Sequence, residues 1–269
     1  MARSPASRIR IGIGGWSYAP WRGPFYPEGL VQRRELEYAS RHLTSIEINS
    51  TFYGAQRAES FARWHDETPD GFVFALKAPR FATHRKALAD AGASIARFIE
   101  GGVTRLGEKL GPINWQFDPG KHFDPDDFAR FLDLLPAEAD GLRLRHAVEV
   151  RHDSFVTAEF VALARRHGAA IVTSGDSRHP LIADPTAPFV YARIMGTTEA
   201  EPLGYAPAAL DRWAARALAW ASGGAPDDLA TLDTPHVSQA GRDVFLYVIS
   251  GHKVRNPAAA MALIERIRA

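Results

Sequence analysis

The sequence lacks cysteine over its whole length of 269 residues, and it also lacks a marked excess of either charge. Without cysteine there is no disulfide bond, no thiolate nucleophile and no zinc or iron–sulfur site built on cysteine ligands. The 32 lysine and arginine residues nearly balance 31 aspartate and glutamate residues. This balance argues against a strongly basic surface for nucleic acid, although the net charge of the whole chain would not reveal a local cationic cleft.

Long apolar runs are missing as well. The N-terminal stretch MARSPASRIR is basic, but the apolar segment of a signal peptide does not follow it. No later run approaches the length of a membrane span. Hydrophobic residues make up 46% of the chain and charged residues 23%, which is typical of a globular protein in water. We therefore expect a cytoplasmic protein with no membrane partner.

What the chain does contain is a regular alternation of strand-length apolar runs and segments of helical period. Parallel strands need crossover helices and a closed barrel has no sheet edge, so eight such units predict an α/β fold, a single-domain (β/α)₈ TIM-like barrel. A doubly wound open sheet is the main alternative. The domain covers residues 1–269, with residues 1–8 as a flexible N-terminal tail. The predicted strands are residues 9–13, 45–49, 72–77, 113–117, 146–151, 170–174, 189–195 and 244–249, and the predicted helices are residues 32–42, 58–66, 94–106, 125–135, 157–167, 207–221 and 257–268.

Three long irregular segments, residues 14–31, 78–90 and 176–188, each follow a predicted strand. In a barrel these segments lie on the C-terminal face, where active sites are found. Residues 222–241 precede a strand instead and would lie at the opposite rim. We interpret that stretch as a plain surface loop.

Polar residues recur on one face of five predicted strands. Successive side chains of a strand point to opposite sides, and parallel strands covered on both faces are normally apolar throughout. The apolar partners would pack against the helices, which leaves the polar set in the lumen near the C-terminal strand ends. This set consists of Glu47 and Asn49, Lys77, Asn114 and Gln116, Glu149 and Arg151, and Tyr191, Arg193 and Met195.

Two explanations apply to this polar face. Each charged pair, such as Glu149 with Arg151 or Lys77 with Glu47, could be a structural ion pair inside the barrel. Several charges converging on one mouth would all have to lose their hydration, however, and apolar packing would avoid that cost. We therefore favour a functional pocket at the C-terminal mouth.

The loop after the first strand is rich in aromatic residues, namely Trp16, Tyr18, Trp21, Phe25 and Tyr26. Such a loop suits a lid, or a platform on which a sugar or a base stacks. It is equally typical of a small core that holds a long loop in place. The sequence leaves both interpretations open.

The same side chains are also compatible with metal binding, glycosidase chemistry or a Schiff base. A divalent metal remains an alternative that is not favoured, because no tight spacing ties its candidate ligands together. Glu47 and Glu149 could instead form the acid/base pair of a glycosidase. Lys77 could form a Schiff base, but a lysine beside carboxylates keeps its proton and is more typical of an anion anchor. The candidate metal ligands are Glu47, His84, Glu149, His152, Asp176 and His252.

Six short motifs follow one another along most of the chain. They are Gly14-Gly15-Trp16-Ser17-Tyr18, Trp21 with Phe25-Tyr26-Pro27, Glu47-Ile48-Asn49-Ser50-Thr51-Phe52-Tyr53, Phe74-Ala75-Leu76-Lys77 with Thr83-His84, Lys109-Leu110-Gly111-Pro112 with Gln116, and Val148-Glu149-Val150-Arg151-His152. In this order they resemble the motifs of the YecE-like family, domain of unknown function 72. The resemblance implies a TIM-like barrel, and it implies no reaction because the family has no settled activity.

The last third of the chain departs from this family pattern. The family usually has Arg-Leu-His-Gly at the seventh strand, where this chain has Arg193-Ile194-Met195-Gly196. A Phe-Asn-Asn type run after the eighth strand is replaced by residues 249–253, which include His252. We expect a retained pocket with altered chemistry on one side, in which His252 compensates for the missing histidine.

Together these observations predict an enzyme, a hydrolase or an isomerase, that uses acid/base chemistry on an anionic or polyhydroxylated ligand such as a phosphate ester or a sugar. A non-catalytic module for a ligand or a nucleic acid is the alternative. The sequence assigns no oligomeric state and no cofactor. The expected catalytic residues are Glu47, Glu149 and Lys77, and the expected ligand-binding residues are Trp16, Tyr18, Asn49, Tyr53, His84, Gln116, Arg151, His152, Asp176, Arg193 and His252.

Overall fold

The computed structural model describes residues 4–234 and 237–269 and shows a closed barrel of eight parallel strands. The barrel strands are β1 (Ile9–Gly14), β2 (Ser45–Ile48), β3 (Val73–Lys77), β4 (Leu110–Gln116), β7 (His146–Glu149), β8 (Ala170–Gly175), β9 (Phe189–Ile194) and β10 (Asp243–Val248), and a hairpin of β5 (Glu138–Ala139) and β6 (Leu142–Arg143) precedes β7. Around the barrel the strands follow the order β1-β10-β9-β8-β7-β4-β3-β2, so that β1 pairs with both β10 and β2. The predicted TIM-like barrel is therefore confirmed.

Helices surround the barrel. The described helices are α1 (Glu35–His42), α2 (Ser50–Tyr53), α3 (Ala58–Asp66), α4 (Arg80–Thr83), α5 (Gly92–Glu100), α6 (Pro125–Asp133), α7 (Ala158–Arg166), α8 (Pro207–Ala221) and α9 (Asn256–Arg268). A helix lies between successive barrel strands, except between β8 and β9, where the described residues form a loop. At the start of α6 the Asp124 carboxylate accepts hydrogen bonds from the Asp126 and Asp127 N–H groups, and Pro125 opens the first turn.

The apolar side chains form two separate cores, one on each side of the barrel wall. Ile46, Phe74 and Val148 belong to the outer core, which lies between the strands and the helices. The inner core fills the lumen, as the alternation along each strand requires. It consists of Ala75, Ala147, Ala170, Val172, Ala187, Phe189, Tyr191, Phe245, Tyr247 and Ile249.

One predicted helix is shorter than its pattern suggested. The period of residues 94–106 predicts one continuous helix, but α5 ends at Glu100 and a 3-10 segment spans Val103–Lys109. The cause is Gly102, whose φ of 99° is left-handed and whose backbone passes Ala58 so closely that a Cβ would lie 2.5 Å from the Ala58 Cβ. The helix therefore stops where α3 crosses it.

The predicted N-terminal tail is partly regular in the described residues. Of the eight residues predicted to form a flexible tail, residues 1–3 lie outside the described part, and Ala6–Arg8 form a 3-10 turn. The predicted surface loop at residues 222–241 contains residues 235–236, which are also outside it. No helix in the described ranges combines the length and apolarity needed to cross a membrane.

Candidate functional site

The C-terminal ends of three strands bring Glu47, Glu149 and Arg193 into contact inside the barrel. Arg193 Nη1 donates to Glu149 Oε2 at 2.6 Å, and Arg193 Nη2 donates to Glu47 Oε1 at 3.1 Å. All three side chains are almost completely buried. One guanidinium group therefore connects two carboxylates that come from β2 and β7, which lie on either side of β9 around the barrel.

Arg151 and two amide side chains complete this arrangement. Arg151 Nη2 donates to both Glu149 Oε1 and Gln116 Oε1 at 2.7 Å, and Arg151 Nε also donates to Glu149 Oε1, at 3.0 Å. Asn114 Nδ2 donates to Glu149 Oε2 at 3.0 Å. The sequence-predicted polar face thus points into the lumen. We call Glu47, Lys77, Asn114, Gln116, Glu149, Arg151 and Arg193 the mouth cluster.

The Glu149 carboxylate is held in its ionised form. Burial alone would raise its pKa, but the charges of Arg193 and Arg151 and the hydrogen bonds from Asn114 and Arg151 outweigh burial and lower the pKa to about 2. For Arg193, burial alone would lower the pKa, and the charges of Glu149 and Glu47 raise it above its usual value instead. This part of the cluster is a fixed ion-pair network at neutral pH.

Two tyrosines form the floor of the mouth cluster. Tyr191 Oη donates to Glu47 Oε2 at 2.5 Å, and Tyr247 Oη lies 2.7 Å from Ser45 Oγ. Burial raises the pKa of both phenols above its ordinary value, and the Glu47 charge adds to this effect. Both tyrosines therefore stay neutral and separate the charged layer from the apolar residues below it.

Lys77 lies in the same cluster but makes none of these bonds. It is 7% exposed, and within the described part of the chain its Nζ donates no hydrogen bond and has no carboxylate oxygen within 4.0 Å. The Phe52 ring lies against it, with its centroid 4.0 Å from Nζ. Burial, followed by the charge of Arg193, lowers the Lys77 pKa to about 8, against the opposing effect of Glu47 and Glu149. The Lys77–Glu47 ion pair considered from the sequence is therefore absent from the described residues, because Arg193 and Arg151 pair with the two carboxylates instead.

Three buried polar atoms in the mouth cluster and beside it have no partner among the described residues. They are Asn114 Oδ1, Ser174 Oγ and Arg193 Nε. An unpaired buried polar atom costs free energy, and such atoms are normally satisfied by water or by a ligand. All three atoms are fully buried, so the interior of the mouth cluster carries an unmet hydrogen-bonding capacity.

Phe52 connects three of the predicted site residues. Its ring packs under Lys77, edge-on against Tyr53 at 5.2 Å and edge-on against His84 at 5.6 Å. Tyr53 is 66% exposed, and His84 Nδ1 lies 3.6 Å from Asp118. Burial lowers the pKa of His84, although Asp118 opposes it. Tyr53 and His84 therefore line the rim next to Lys77.

Asn49 is also at the rim, where it follows β2 and precedes α2. Its side chain is half-buried and makes no hydrogen bond to the described residues. It lies against the end of β1, since a Cβ on Gly14 would come within 2.7 Å of Asn49 Nδ2. The glycine thus leaves room for an amide that is available to a ligand.

The aromatic loop forms a small core of its own. Trp21 and Tyr26 are fully buried, and the Tyr26 hydroxyl donates to the Trp16 carbonyl at 2.5 Å. The Trp16 ring packs edge-on against Trp64 at 5.2 Å, on the helix side of the barrel wall. The second interpretation of this loop, a packed core, is the one that the structure shows.

Tyr18 belongs to the same loop and contacts a lysine from the other end of the chain. Lys253 Nζ lies 4.2 Å from the Tyr18 ring centroid, and the Lys253 carbonyl accepts a hydrogen bond from Trp21 Nε1 at 2.8 Å. These contacts fasten the loop to the segment after β10.

Two further predicted residues have local structural partners. His152 Nδ1 accepts a hydrogen bond from the Ser154 N–H at 3.1 Å and so begins a 3-10 turn. Asp176 ends β8 with a left-handed φ of 52°, and its Oδ2 accepts a hydrogen bond from Trp213 Nε1 at 2.8 Å. Neither side chain joins the mouth cluster.

His252 lies after β10, as the sequence analysis expected. Its backbone N–H donates to the Thr197 carbonyl at 2.7 Å, and its ring makes no hydrogen bond within the described residues. Its proposed compensation for the histidine absent at Met195 stays a prediction. In the part of the chain that is described, no group of three or more histidine, aspartate or glutamate side chains is arranged to hold a metal ion.

One residue near the cluster was missed by sequence reasoning. His179, in the loop after β8, is half-buried and interacts electrostatically with Arg151, Glu149 and Arg193. Burial, and then the charge of Arg151, lowers its pKa. It lies in an irregular loop beyond the end of its strand, where no periodicity indicates the direction of a side chain.

The chain is similar to curated proteins of unknown activity. The UPF0759 protein YecE of Escherichia coli K12 is 31% identical over 150 residues, which cover 55% of this chain and 50% of YecE. The UPF0759 protein YunF of Bacillus subtilis 168 is 33% identical over 70 residues, which cover 26% of this chain and 24% of YunF. The chain thus matches about half the length of the first relative and about a quarter of the second.

Solved structures show the same fold. A DUF72 family protein from Thermotoga maritima MSB8 matches with a TM-score of 0.73 at 20% identity, over 97% of this chain and 99% of that chain. A DUF72 family protein from Enterococcus faecalis V583 matches with a TM-score of 0.65 at 14% identity, over 97% of both chains.

A family model described as a protein of unknown function, DUF72, matches residues 10–269. Since this match includes the barrel strands, apart from Ile9 at the start of β1, and the whole mouth cluster, the chain belongs to the DUF72 family.

Proposed function

We propose that the barrel mouth binds a small anionic ligand that also carries hydroxyl groups, and that the protein is an enzyme that exchanges protons with it. The observation that carries this proposal is the charge balance of the mouth cluster. Lys77, Arg151 and Arg193 supply three cations, whereas Glu47 and Glu149 supply two carboxylates. The carboxylates are bound to the arginines, so one positive charge remains for a ligand.

Arg151 and Lys77 are the groups that meet the anion. The Arg151 side chain is 19% exposed, and its Nη1 group has no partner among the described residues. A guanidinium edge of this kind binds phosphate or carboxylate through charge-assisted hydrogen bonds. Asn49 and Gln116 Nε2, which has no partner among the described residues, are the groups proposed to bind hydroxyl groups.

Lys77 is the group best suited to acid/base chemistry. A proton-transfer group works best when its pKa is near the operating pH, and the pKa of Lys77 is about 8. Glu149, with a pKa of about 2, is a weak base at neutral pH and carries no proton to donate. In this proposal Glu149 and Glu47 orient the guanidinium groups, and Lys77 moves the proton.

Anion binding is tested by calorimetric titration with inorganic phosphate. Arg151→Met and Lys77→Met are each expected to weaken binding by about tenfold to a hundredfold, the effect of losing one charged hydrogen bond. Lys86→Met is the matched control, because Lys86 is exposed on a loop outside the lumen. If phosphate does not bind the wild-type protein, or binds all three variants equally well, the proposal is wrong.

Catalysis is tested separately with Lys77→Arg and a panel of phosphorylated sugars and phosphate esters. Arginine keeps the charge but not a pKa near neutrality, so binding is expected to persist while turnover is lost. Binding without turnover of any compound by the wild-type protein would favour the alternative, a non-catalytic binding module.

A further inference from the structure

The chain has two deeply buried lysines, and they have opposite surroundings. Lys109 Nζ donates to the His65 carbonyl at 2.6 Å and to the Thr68 carbonyl at 2.7 Å. Lys77 Nζ has no acceptor within the described ranges, although its burial is similar. The Lys77 side chain is mostly buried, but Nζ is not among the fully buried atoms that lack a partner, so part of the amine is accessible. An unpaired, partly accessible lysine in a cluster of charged groups is a candidate for a functional role.

The carboxylates near Lys77 do not neutralise it, because other donors occupy them. Glu47 accepts hydrogen bonds from Tyr191 and Arg193, and Glu149 accepts hydrogen bonds from three side chains. The positive charge of Arg193 faces Lys77 instead, and the Phe52 ring covers one side of the amine. Lysines activated for covalent catalysis are typically desolvated or placed beside another cation, and Lys77 has both features.

Two of the unpaired buried atoms belong to lumen-facing residues, one of them on the strand next to Lys77. Asn114 is the register partner of Lys77 on the neighbouring strand, and its Oδ1 has no partner in the described residues. Ser174 Oγ is likewise unpaired, on the lumen side of β8. An amide oxygen and a hydroxyl can hold the hydroxyl group of a tetrahedral adduct and the water that leaves it.

We propose that Lys77 forms an imine with the carbonyl carbon of a small anionic aldehyde or ketone, an inference that rests on the anion site proposed above. The neutral amine nitrogen attacks the carbonyl carbon, a C–N bond forms and the carbonyl π electrons move to oxygen. A proton passes from nitrogen to that oxygen and gives a carbinolamine. Loss of the oxygen as water leaves a C=N bond, so amine and carbonyl compound are converted to imine and water without an oxidant or a reductant.

Reductive trapping tests this inference directly. The probe is glycolaldehyde phosphate in the presence of cyanoborohydride, whose hydride reduces the iminium carbon to a stable secondary amine. The chain has five lysines, Lys77, Lys86, Lys109, Lys121 and Lys253, so peptide mass spectrometry distinguishes every site. We expect Lys77 to be labelled about tenfold faster than any other lysine, with a rate that rises with pH up to about 8.

Lys253 is the matched control, because its Nζ also lies over an aromatic ring but outside the mouth cluster. Excess inorganic phosphate is expected to slow the labelling of Lys77 and not that of Lys253. Both measurements use the wild-type protein, so they do not depend on how well a variant folds. Equal labelling of Lys77 and Lys253 by the probe overturns the imine.

Neutral glycolaldehyde separates the two proposals. If phosphate binds but the phosphorylated aldehyde does not label Lys77, the imine is wrong and the anion site stands. If glycolaldehyde labels Lys77 as fast as its phosphate ester does, the imine stands and the anion site is wrong. In Lys77→Arg, the peptide that contains position 77 is expected to carry no adduct.

Discussion

Arg193 on β9 and Glu149 on β7 form an ion pair of 2.6 Å although their strands are not neighbours, since β8 lies between them. The same arginine reaches Glu47 on β2, on its other side around the barrel. These contacts join parts of the wall that the backbone hydrogen bonds do not join. Because all three groups are deeply buried, removal of one leaves the others with uncompensated charge.

Arg193→Met is expected to lower the free energy of unfolding by about 3–5 kcal/mol, because the buried Glu47 loses its arginine partner and the buried Glu149 loses Arg193 while it keeps Arg151. Urea denaturation measures the change. Arg266→Met is the control, since Arg266 pairs with Asp211 at the surface and its loss should cost less than about 1 kcal/mol. In a double-mutant cycle, Glu149→Gln should cost much less when Arg193 is already replaced, and strictly additive losses would argue against the pair.

Acid should remove the contribution that the ionised Glu149 makes to the stability of the folded protein. Its folded-state pKa of about 2 lies below the ordinary value of 4.5, so the stabilisation is complete above pH 4.5 and is lost progressively as the pH falls toward 2. The shift corresponds to about 3 kcal/mol. The difference in unfolding free energy between wild type and Glu149→Gln should therefore shrink between pH 4.5 and pH 3. The exposed Glu265→Gln should show a small difference that does not change with pH.

Replacing the two buried lysines should change stability in opposite directions. Lys77→Met removes an unpaired buried charge and should stabilise the protein at pH 7, by about 1–3 kcal/mol. This gain in stability should fade as the pH rises from about 8 to 10.5, because wild-type Lys77 then loses its proton first in the folded state and finally in the unfolded state as well.

Lys109→Met leaves two carbonyl groups without their donor and should destabilise the protein by about 2 kcal/mol. Urea denaturation at several pH values tests both, and a loss of stability in Lys77→Met at pH 7 would contradict the expectation.

His146 should remain a neutral imidazole with its proton on Nε2. Trp115 Nε1 donates to His146 Nδ1 at 3.0 Å, so Nδ1 carries no proton, and Nε2 lies 2.8 Å from the Pro136 carbonyl that it can donate to. Burial lowers the pKa of His146, although the bond to Pro136 opposes this. Stability should therefore fall as the pH drops below 6.5, because only the unfolded state takes up the proton readily. Nitrogen-15 NMR at pH 6 reports the tautomer, and a doubly protonated ring at that pH would contradict the assignment.

The sequence was sufficient to predict the barrel and the direction of its polar face. The alternation in Glu47 and Asn49, or in Glu149 and Arg151, follows from strand geometry alone and needs no knowledge of neighbouring strands. Strands of a parallel sheet are buried on both faces and are normally apolar throughout, so polar residues within them indicate a special position.

The Glu149–Arg151 pair was predictable, because the two residues share one face of one predicted strand. The pairs between strands were not, because they depend on the tilt and stagger of the closed barrel. Lys77 was expected beside Glu47, but Glu47 pairs with Arg193 of β9. His179 was missed because a loop residue has no period that fixes its direction. The end of α5, just before Gly102, depends on the close approach of Ala58 at the start of α3, which local sequence does not contain.

The connection through Arg193 also has a consequence for synthesis of the chain. Arg193 follows Glu47 by 146 residues and Glu149 by 44 residues, so both carboxylates leave the ribosome before the group that binds them. A partial barrel that ends before β9 would contain Glu149 with Arg151 but would leave Glu47 without the arginine that it pairs with. The ion pairs of Arg193 can form only after β9 has been made, which favours folding of the eight strands as one cooperative unit over stepwise growth of half-barrels.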